Sequence, residues 1–338
     1  MRLKVRKALF LAMLAFACVT PATAGAQSTD APPSGALLAP AGRQAAWISL
    51  EAPRPRFVTH FDPPDYVSDV ALAPGSSRAA VVVVHLPAVG SVPYGDIVLL
   101  DLTSSTTSPL VASPEAAESL GAPVWSADGT RLFFQREDVS VVGTSYAGGA
   151  TVQFPSRIEQ VSADGSGRTI IVDNGRQPAT SPDGQTVAYV YRSAQGPALI
   201  IRRLVDASER TAVAAGQFGD IMSPRYSPGG DRIAFMAPVA LPGPSAGVAF
   251  LEAASLAAPP RLAHGTPWDL WIVSADGTTM PSRLAAVSAD DGTLAWSPDG
   301  SQLFVYGGTG SFIVDAASGA VTPLSFLSGY GSTSWVSD

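Results

Sequence analysis

The chain of 338 residues holds one cysteine, Cys18, two lysines, Lys4 and Lys7, and three histidines. Each scarcity excludes something. A single thiol makes neither an intramolecular disulfide nor a thiolate-rich metal site. His60, His85 and His264 are far apart in the sequence, so a histidine metal site needs three separate parts of the fold to converge. Beyond the first residues, no apolar run is long enough for a membrane-spanning helix. Charged residues make up only 14% of the chain and hydrophobic ones 46%, the balance of a chain that buries a core.

The N-terminus reads "MRLKVRKALFLAMLAFACVTPATAGAQ", with Arg2, Lys4, Arg6 and Lys7 as a basic head and Leu9 to Ala17 as an apolar core. Small residues follow, and residues 1–26 are expected to be a signal peptide cleaved after Ala26. The alternative is a lipid anchor on Cys18, against which stands the bulky Phe16 in the preceding triplet. The protein is thus expected to be exported, periplasmic or extracellular. Removal of the four basic residues of the signal from 21 leaves 17, all arginine, against 28 acids, a net charge of −11. That balance repels nucleic acid and anionic lipid, so neither is expected as a partner.

What is abundant is turn chemistry: 32 glycines and 29 prolines, many in a repeated motif. "LAWSPDGSQLFV" (294–305) has relatives in "PVWSADGTRLFF" (123–134), "PATSPDGQTVAY" (178–189) and "PRYSPGGDRIAF" (224–235), with a weaker copy in "VALAPGSSRAAV" (70–81). Proline presets φ for a turn, aspartate bonds back to nearby backbone, and glycine takes a left-handed φ. Each copy is therefore a β-hairpin. Ser126, Ser181, Ser227 and Ser297, with Ala73 in register, are spaced by 53, 55, 46 and 70 residues. Strands such as "GDIVLLDLTSS" (95–105) and "DLWIVSADGTT" (269–279) follow the hairpins, so one unit holds about four antiparallel strands. Units of this size are the signature of propeller blades.

Five motifs give five blades, and the two ends supply a sixth. "GSTSWVSD" (331–338) starts another copy that breaks off at Trp335, and "RQAAWISL" (43–50) and "RFVTH" (56–60) are strands without a hairpin partner. Pairing of the C-terminal strand with the N-terminal ones would close the ring and remove two sheet edges. The alternative is that "LLAPAGRQAAW" (37–47) is a degenerate motif of its own. Residues 27–36 form a leader, and 37–338 an all-β, six-bladed propeller of one domain, expected to be a monomer.

These turns and strands, over residues 43 to 338, resemble the TolB-like, WD-type (PD40) propeller family of bacterial envelope and secreted proteins. The resemblance implies the fold. It leaves the role open, because that family includes translocation modules, sensor domains and propellers attached to peptidases. Within these residues the sequence pattern shows neither the α/β domain that precedes the propeller in TolB nor a hydrolase domain.

Signals for chemistry are thin. Gly243-Pro244-Ser245-Ala246-Gly247 fits G-x-S-x-G, with His264 and Asp269 downstream, but its Pro-rich flanks lack the strand and helix of a nucleophile elbow. The Asp-Gly pairs lack the spacing of a calcium loop. No cofactor and no metal site is expected, including the histidine site of TolB-like lyases. One constellation stands out. The links from each outer strand to the next inner strand gather at one mouth of a propeller channel. Here they carry Asp62, Asp65, Glu115, Glu118, Asp173, Asp220, Asp290 and Asp291, with Arg176 as their cation. An acidic mouth of this kind would draw cations or a basic partner. The expected function is a binding or scaffolding module of the cell envelope that takes a protein or peptide there, without catalysis. The alternatives are a hydrolase or lyase with its active site in the channel, and a saccharide-binding module if Tyr66, Phe218 and Tyr330 line the mouth. The loop 237–266 and the insertion 137–156 would project from the same end.

Overall fold

The computed structural model describes residues 35–50, 54–86, 93–113, 118–138, 155–238 and 267–336. Twenty-four strands form six four-stranded sheets, each antiparallel throughout, and the described residues contain no helix. From blade 1 to blade 6 the inner strands are Ser334–Trp335, Tyr66–Leu72, Glu118–Trp125, Gly175–Thr180, Met222–Tyr226 and Thr293–Trp296. The second strands are Leu37–Ala41, Arg78–His85, Arg131–Asp138, Thr186–Ser193, Arg232–Pro238 and Gln302–Gly307. The third are Gln44–Ile48, Tyr94–Asp101, Ser156–Ser162, Gly196–Arg203, Trp268–Ser274 and Gly310–Asp315. The outer strands are Arg56–Phe57, Thr106–Val111, Thr169–Asp173, Glu209–Val213, Ser282–Ala289 and Val321–Leu324.

The ring closes as expected. Leu37 and Leu38 pair with Trp335 and Ser334, so the C-terminal strand is the innermost of a sheet whose other three strands are N-terminal. Residues 37–41 and 44–48 are the second and third strands of that blade, joined through Gly42, and not a motif copy of their own. The Tyr306 hydroxyl of blade 6 donates to the Pro40 carbonyl of blade 1 at 2.7 Å, and burial pushes its pKa up to about 12.

Within a blade the two faces of each strand serve two neighbours, because successive side chains point to opposite sides. Along Arg78–His85, Ala79, Val81 and Val83 pack toward blade 1, while Ala80 and Val82 pack toward blade 3. Both faces being covered, the strand reads as a near-continuous apolar run and not as an alternation. Every interface between neighbouring blades holds such an apolar cluster. The one between blades 3 and 4 is the smallest, built on Ile158, Val172 and Tyr189. Trp125 and Trp296 lie between blades, each sending its indole N–H to an inner-strand carbonyl of the blade before, Ala71 at 3.0 Å and Arg225 at 3.2 Å.

The repeated turn joins inner to second strand and works as its residues predict. Ser126, Ser181, Ser227 and Ser297 accept through Oγ from the amide five residues on, at 3.0, 2.9, 3.1 and 2.9 Å. The glycines at 129, 184, 230 and 300 have φ between 66° and 75°, which only glycine adopts without cost. In the 227 copy glycine replaces aspartate, and Asp231 takes over the serine hydroxyl at 2.8 Å. The bonds from Ser126 and Ser297, with those from the backbone and side chains of Thr130 and Ser301, hold the Asp128 and Asp299 carboxyls down at about 2. A pKa depressed in the folded chain contributes stability above the unfolded value near 4, and that contribution disappears as pH falls through 2. The melting temperature should therefore decline between pH 4 and pH 2, and less steeply in an Asp128→Asn, Asp299→Asn variant. Parallel slopes for the two proteins would refute this origin.

Candidate functional site: the two ends of the channel

Strand direction alternates within each blade, so the motif turns lie at one end of the ring. The outer-to-inner links and the second-to-third connections lie at the other. This link end carries the acids singled out in the sequence, apart from Glu115, which lies outside the described residues. The structure divides them into two groups.

On blades 3 to 5, Glu118 and Asp220 are paired. Glu118 is buried at 8% exposure, bound to Arg136 and, at 2.9 Å, to Arg168. Burial pushes its carboxyl up, and the bonds and charges of the two arginines outweigh that and bring it below the ordinary value. Asp220 holds Arg176 at 2.5 Å and Arg192 at 2.6 Å. Arg176 itself is lowered, first by its burial and then by the charge of Arg192 against the attraction of Asp220. Burial likewise raises Glu137, on the second strand of blade 3. Asp173 closes the outer strand of blade 3 and is exposed.

On blades 6, 1 and 2 no arginine of the described residues comes within ion-pair distance of Asp62, Asp65 or Asp290. Asp62 is exposed in the link after blade 1. Asp65 binds His85 Nδ1 at 2.8 Å, and His85, at the end of its strand, also meets Asp96 at 3.4 Å and leans on Tyr94. Asp290 accepts from the Tyr330 hydroxyl at 3.4 Å. Asp291 is exposed, with φ of 48°. Tyr330 is half exposed and Tyr66 partly buried, whereas Phe218 is in the core, edge-on to Phe235 at 5.6 Å and Trp271 at 4.8 Å. The aromatic lining weighed for a saccharide therefore lacks one of its three residues.

Further along the channel, residues four places before each motif position form a belt: Asp69, Ala122, Gln177, Ser223, Thr293 and Ser332. Register shifts in the inner strands of blades 2 to 5 accompany it, and Ala122, Gln177 and Ser223 have φ of 47°, 51° and 49°. Its bonds run from blade to blade. The Gln177 amide donates to Gln135 and the Ser223 amide to Gln177, both at 2.9 Å. The Leu294 amide donates to Ser223 Oγ at 3.0 Å, Thr293 Oγ1 to the Gly331 carbonyl at 2.7 Å, and the Ser332 amide to Asp69 Oδ1 at 2.9 Å.

Solved structures share this ring. TolB from Acinetobacter baumannii matches with a TM-score of 0.60 at 15% identity, over 89% of this chain and 65% of that one. A protein assigned as TolB from Agrobacterium tumefaciens matches at 0.55 and 15% identity, over 80% and 83%. The fold is that of the TolB-like propellers. A chain of a nidogen/laminin complex is similar at a TM-score of 0.61 and 10% identity, over 89% and 98% of the two chains. No family model matches the sequence, and no curated protein is similar to it.

At the turn end, this TolB-like propeller opens into a cavity of about 1090 Å³ lined by all six blades. Trp125, Tyr226, Trp296 and Trp335 form its walls, with Pro74, Pro182, Pro228 and Pro298 from the turns. Arg225 reaches into it from the inner strand of blade 5. The sequence reading passed over this residue, although the motif copies signal it. Two places before the motif serine, Arg225 stands where Ala71, Val124, Ala179 and Ala295 stand in the others.

The remaining sequence candidates do not assemble. Ser245 and His264 lie outside the described residues. Asp269 is 2% exposed, bound to Arg283 at 3.2 Å and to the Ser288 amide, so its carboxylate is already engaged. His60 is exposed, and no group of three metal-ligating side chains occurs among the described residues. No helix long and apolar enough to cross a membrane occurs among the described residues.

Proposed function

We propose that the chain is an exported binding module of the cell envelope that holds a basic protein or peptide segment at the link end of its channel, without catalysis. The observation that carries this reading is that Asp62, Asp65 and Asp290, at the link end of blades 6, 1 and 2, are not neutralised by any arginine of the described residues. Carboxylates in a polar rim steer a cationic partner and set its register, and salt screens them. The engaged state of Asp269 weighs against the formal Ser245–His264–Asp269 triad and so against the hydrolase alternative. Export rests on residues 1–26, whose pattern is that of a signal peptide.

The test is a pull-down from envelope extract with residues 27–338 as bait, at low and high salt, beside an Asp62→Arg, Asp290→Arg variant. Asp291 is spared because its positive φ would strain a longer side chain. The expected result is a partner kept at low salt, shed at high salt and bound about tenfold more weakly by the variant. A partner held equally by both proteins would remove these acids from the account. Enrichment of no protein at either salt would remove the binding module.

A further inference from the structure

We infer that the cavity at the turn end is a binding site for a carboxylate with an apolar body, its anionic end held by Arg225. This site is at the opposite end of the ring from the link-end acids and does not depend on them. Arg225 is the one charged side chain among the residues that line the cavity, which include no Asp, Glu, Lys or His. The inner-strand positions level with it are Ala71, Val124, Ala179, Ala295 and Ser334, none of which carries a charge to meet its guanidinium.

Its partners inside the chain are few. Nη1 donates to the carbonyl of Pro224 at 2.8 Å, and Nη2 reaches Ser332 Oγ at 3.4 Å. No carboxylate of the described residues is within ion-pair distance. Asp69 attracts it from further off, but the oxygens of Asp69 are occupied by the Ser332 amide at 2.9 Å and Ser68 Oγ at 3.0 Å. Burial pulls Arg225 down to about 10, against which Asp69 works, so it remains a cation at neutral pH. A guanidinium carries five N–H donors in a planar fork that fits a carboxylate, and most of this one is unused. The buried hydroxyl of Thr333, which also lines the cavity, has no partner among the described residues.

The walls define the rest of the ligand. The indole N–H groups of Trp125 and Trp296 are spent on backbone carbonyls, and the Tyr226 hydroxyl is paired with Thr186 at 2.9 Å. These side chains therefore offer carbon surface to an occupant. A space of about 1090 Å³ suits a medium-sized organic acid or the last residues of a peptide, and both present the same chemistry, an apolar body ending in a carboxylate.

The experiment uses 3-phenylpropionate and 3-phenylpropanol, which share a body and differ in charge. A hexapeptide of alanines ending in phenylalanine is added as its free acid and as its amide. Binding to the full chain is followed by calorimetry and by tryptophan fluorescence. The free acids are expected to bind at least tenfold more tightly than the alcohol and the amide, a comparison that needs no variant. Arg225→Met should weaken the acids about 10- to 100-fold, the loss of one charge-assisted contact, and leave the alcohol unchanged. Arg225→Lys should fall between. Binding of phenylpropionate alone identifies a small acid as the ligand class, and binding of the peptide acid as well identifies a chain terminus. Equal affinity for acid and alcohol, or an Arg225→Met protein that binds the acid as before, would overturn the site.

Discussion

Gly331→Ala should lower the stability of the ring by about 3–6 kcal/mol and its melting temperature by roughly 10 °C. Gly331 lies in the link that leads into the innermost strand of blade 1, with φ of 101°. A Cβ there would overlap the carbonyl oxygen of Ser68 and press on the Pro40 ring at 3.0 Å. Neither contact is with the free end of a flexible side chain, so relief requires moving the closing strand. That strand is short, paired with Leu37 and Leu38 and extended by one bond from the Val336 amide to the Ala36 carbonyl, and it depends on the belt bonds from Thr293 to Gly331 and from Ser332 to Asp69. Displacing it also exposes the sheet edge of Leu37–Ala41. Gly42→Ala is the control, since Gly42 has φ of 62° but nothing within 4 Å of the added carbon, and should cost only about 1 kcal/mol. Thermal unfolding of the two variants beside wild type checks this. Equal losses would mean that backbone strain alone, and not closure, is at stake.

Glu159→Ala should destabilise by about 3–5 kcal/mol, the effect of removing one member of a buried ion pair. Glu159 is 2% exposed on the face of blade 3 that packs toward blade 2, and binds Arg157 and, at 2.5 Å, Arg168. Arg168 continues to Glu118, which binds Arg136, so five charges form one chain across the strands of blade 3. Burial lowers the pKa of Arg168, and the two glutamates more than reverse that. Without Glu159, Arg157 and Arg168 keep their charge at a buried face with one carboxylate fewer. Glu159→Gln keeps the shape and one acceptor and should lose less. Urea unfolding measures both, and a loss under 1 kcal/mol for Glu159→Ala would show that water enters and solvates the arginines.

Five turns and a truncated sixth copy made most of the fold legible. The bonds that shape each turn run between residues at most five apart, from Ser297 to Gln302 for example, so the local sequence contains the whole determinant. The closure was legible for a related reason: Trp335 ends a motif whose remaining strands stand at the other terminus. The 227 copy shows the limit of motif reading, because Asp231 supplies from a neighbouring position what Gly229 cannot.

The sites were less legible. Strand order alone placed the acids at one end. Which of them are neutralised depends on Arg136, Arg168 and Arg192, which reach the acids from other strands or from the opposite end of a blade, with 18 to 50 residues of chain between. Phe218 looked like a mouth aromatic because link residues are usually wet, and packing against Phe235 and Trp271 took it into the core.

The sequence by itself determined the turns, the blade count, the closing strand and the end at which the link acids stand, since these follow from local backbone chemistry repeated at a regular spacing. Only the tertiary structure decided which charges remain unpaired. Arg225 is one arginine among many in the sequence, and its isolation arises because five other blades each bring an uncharged residue to the same level of the channel. A charge's environment is set by what surrounds it in space, and in a ring those neighbours come from the whole length of the chain.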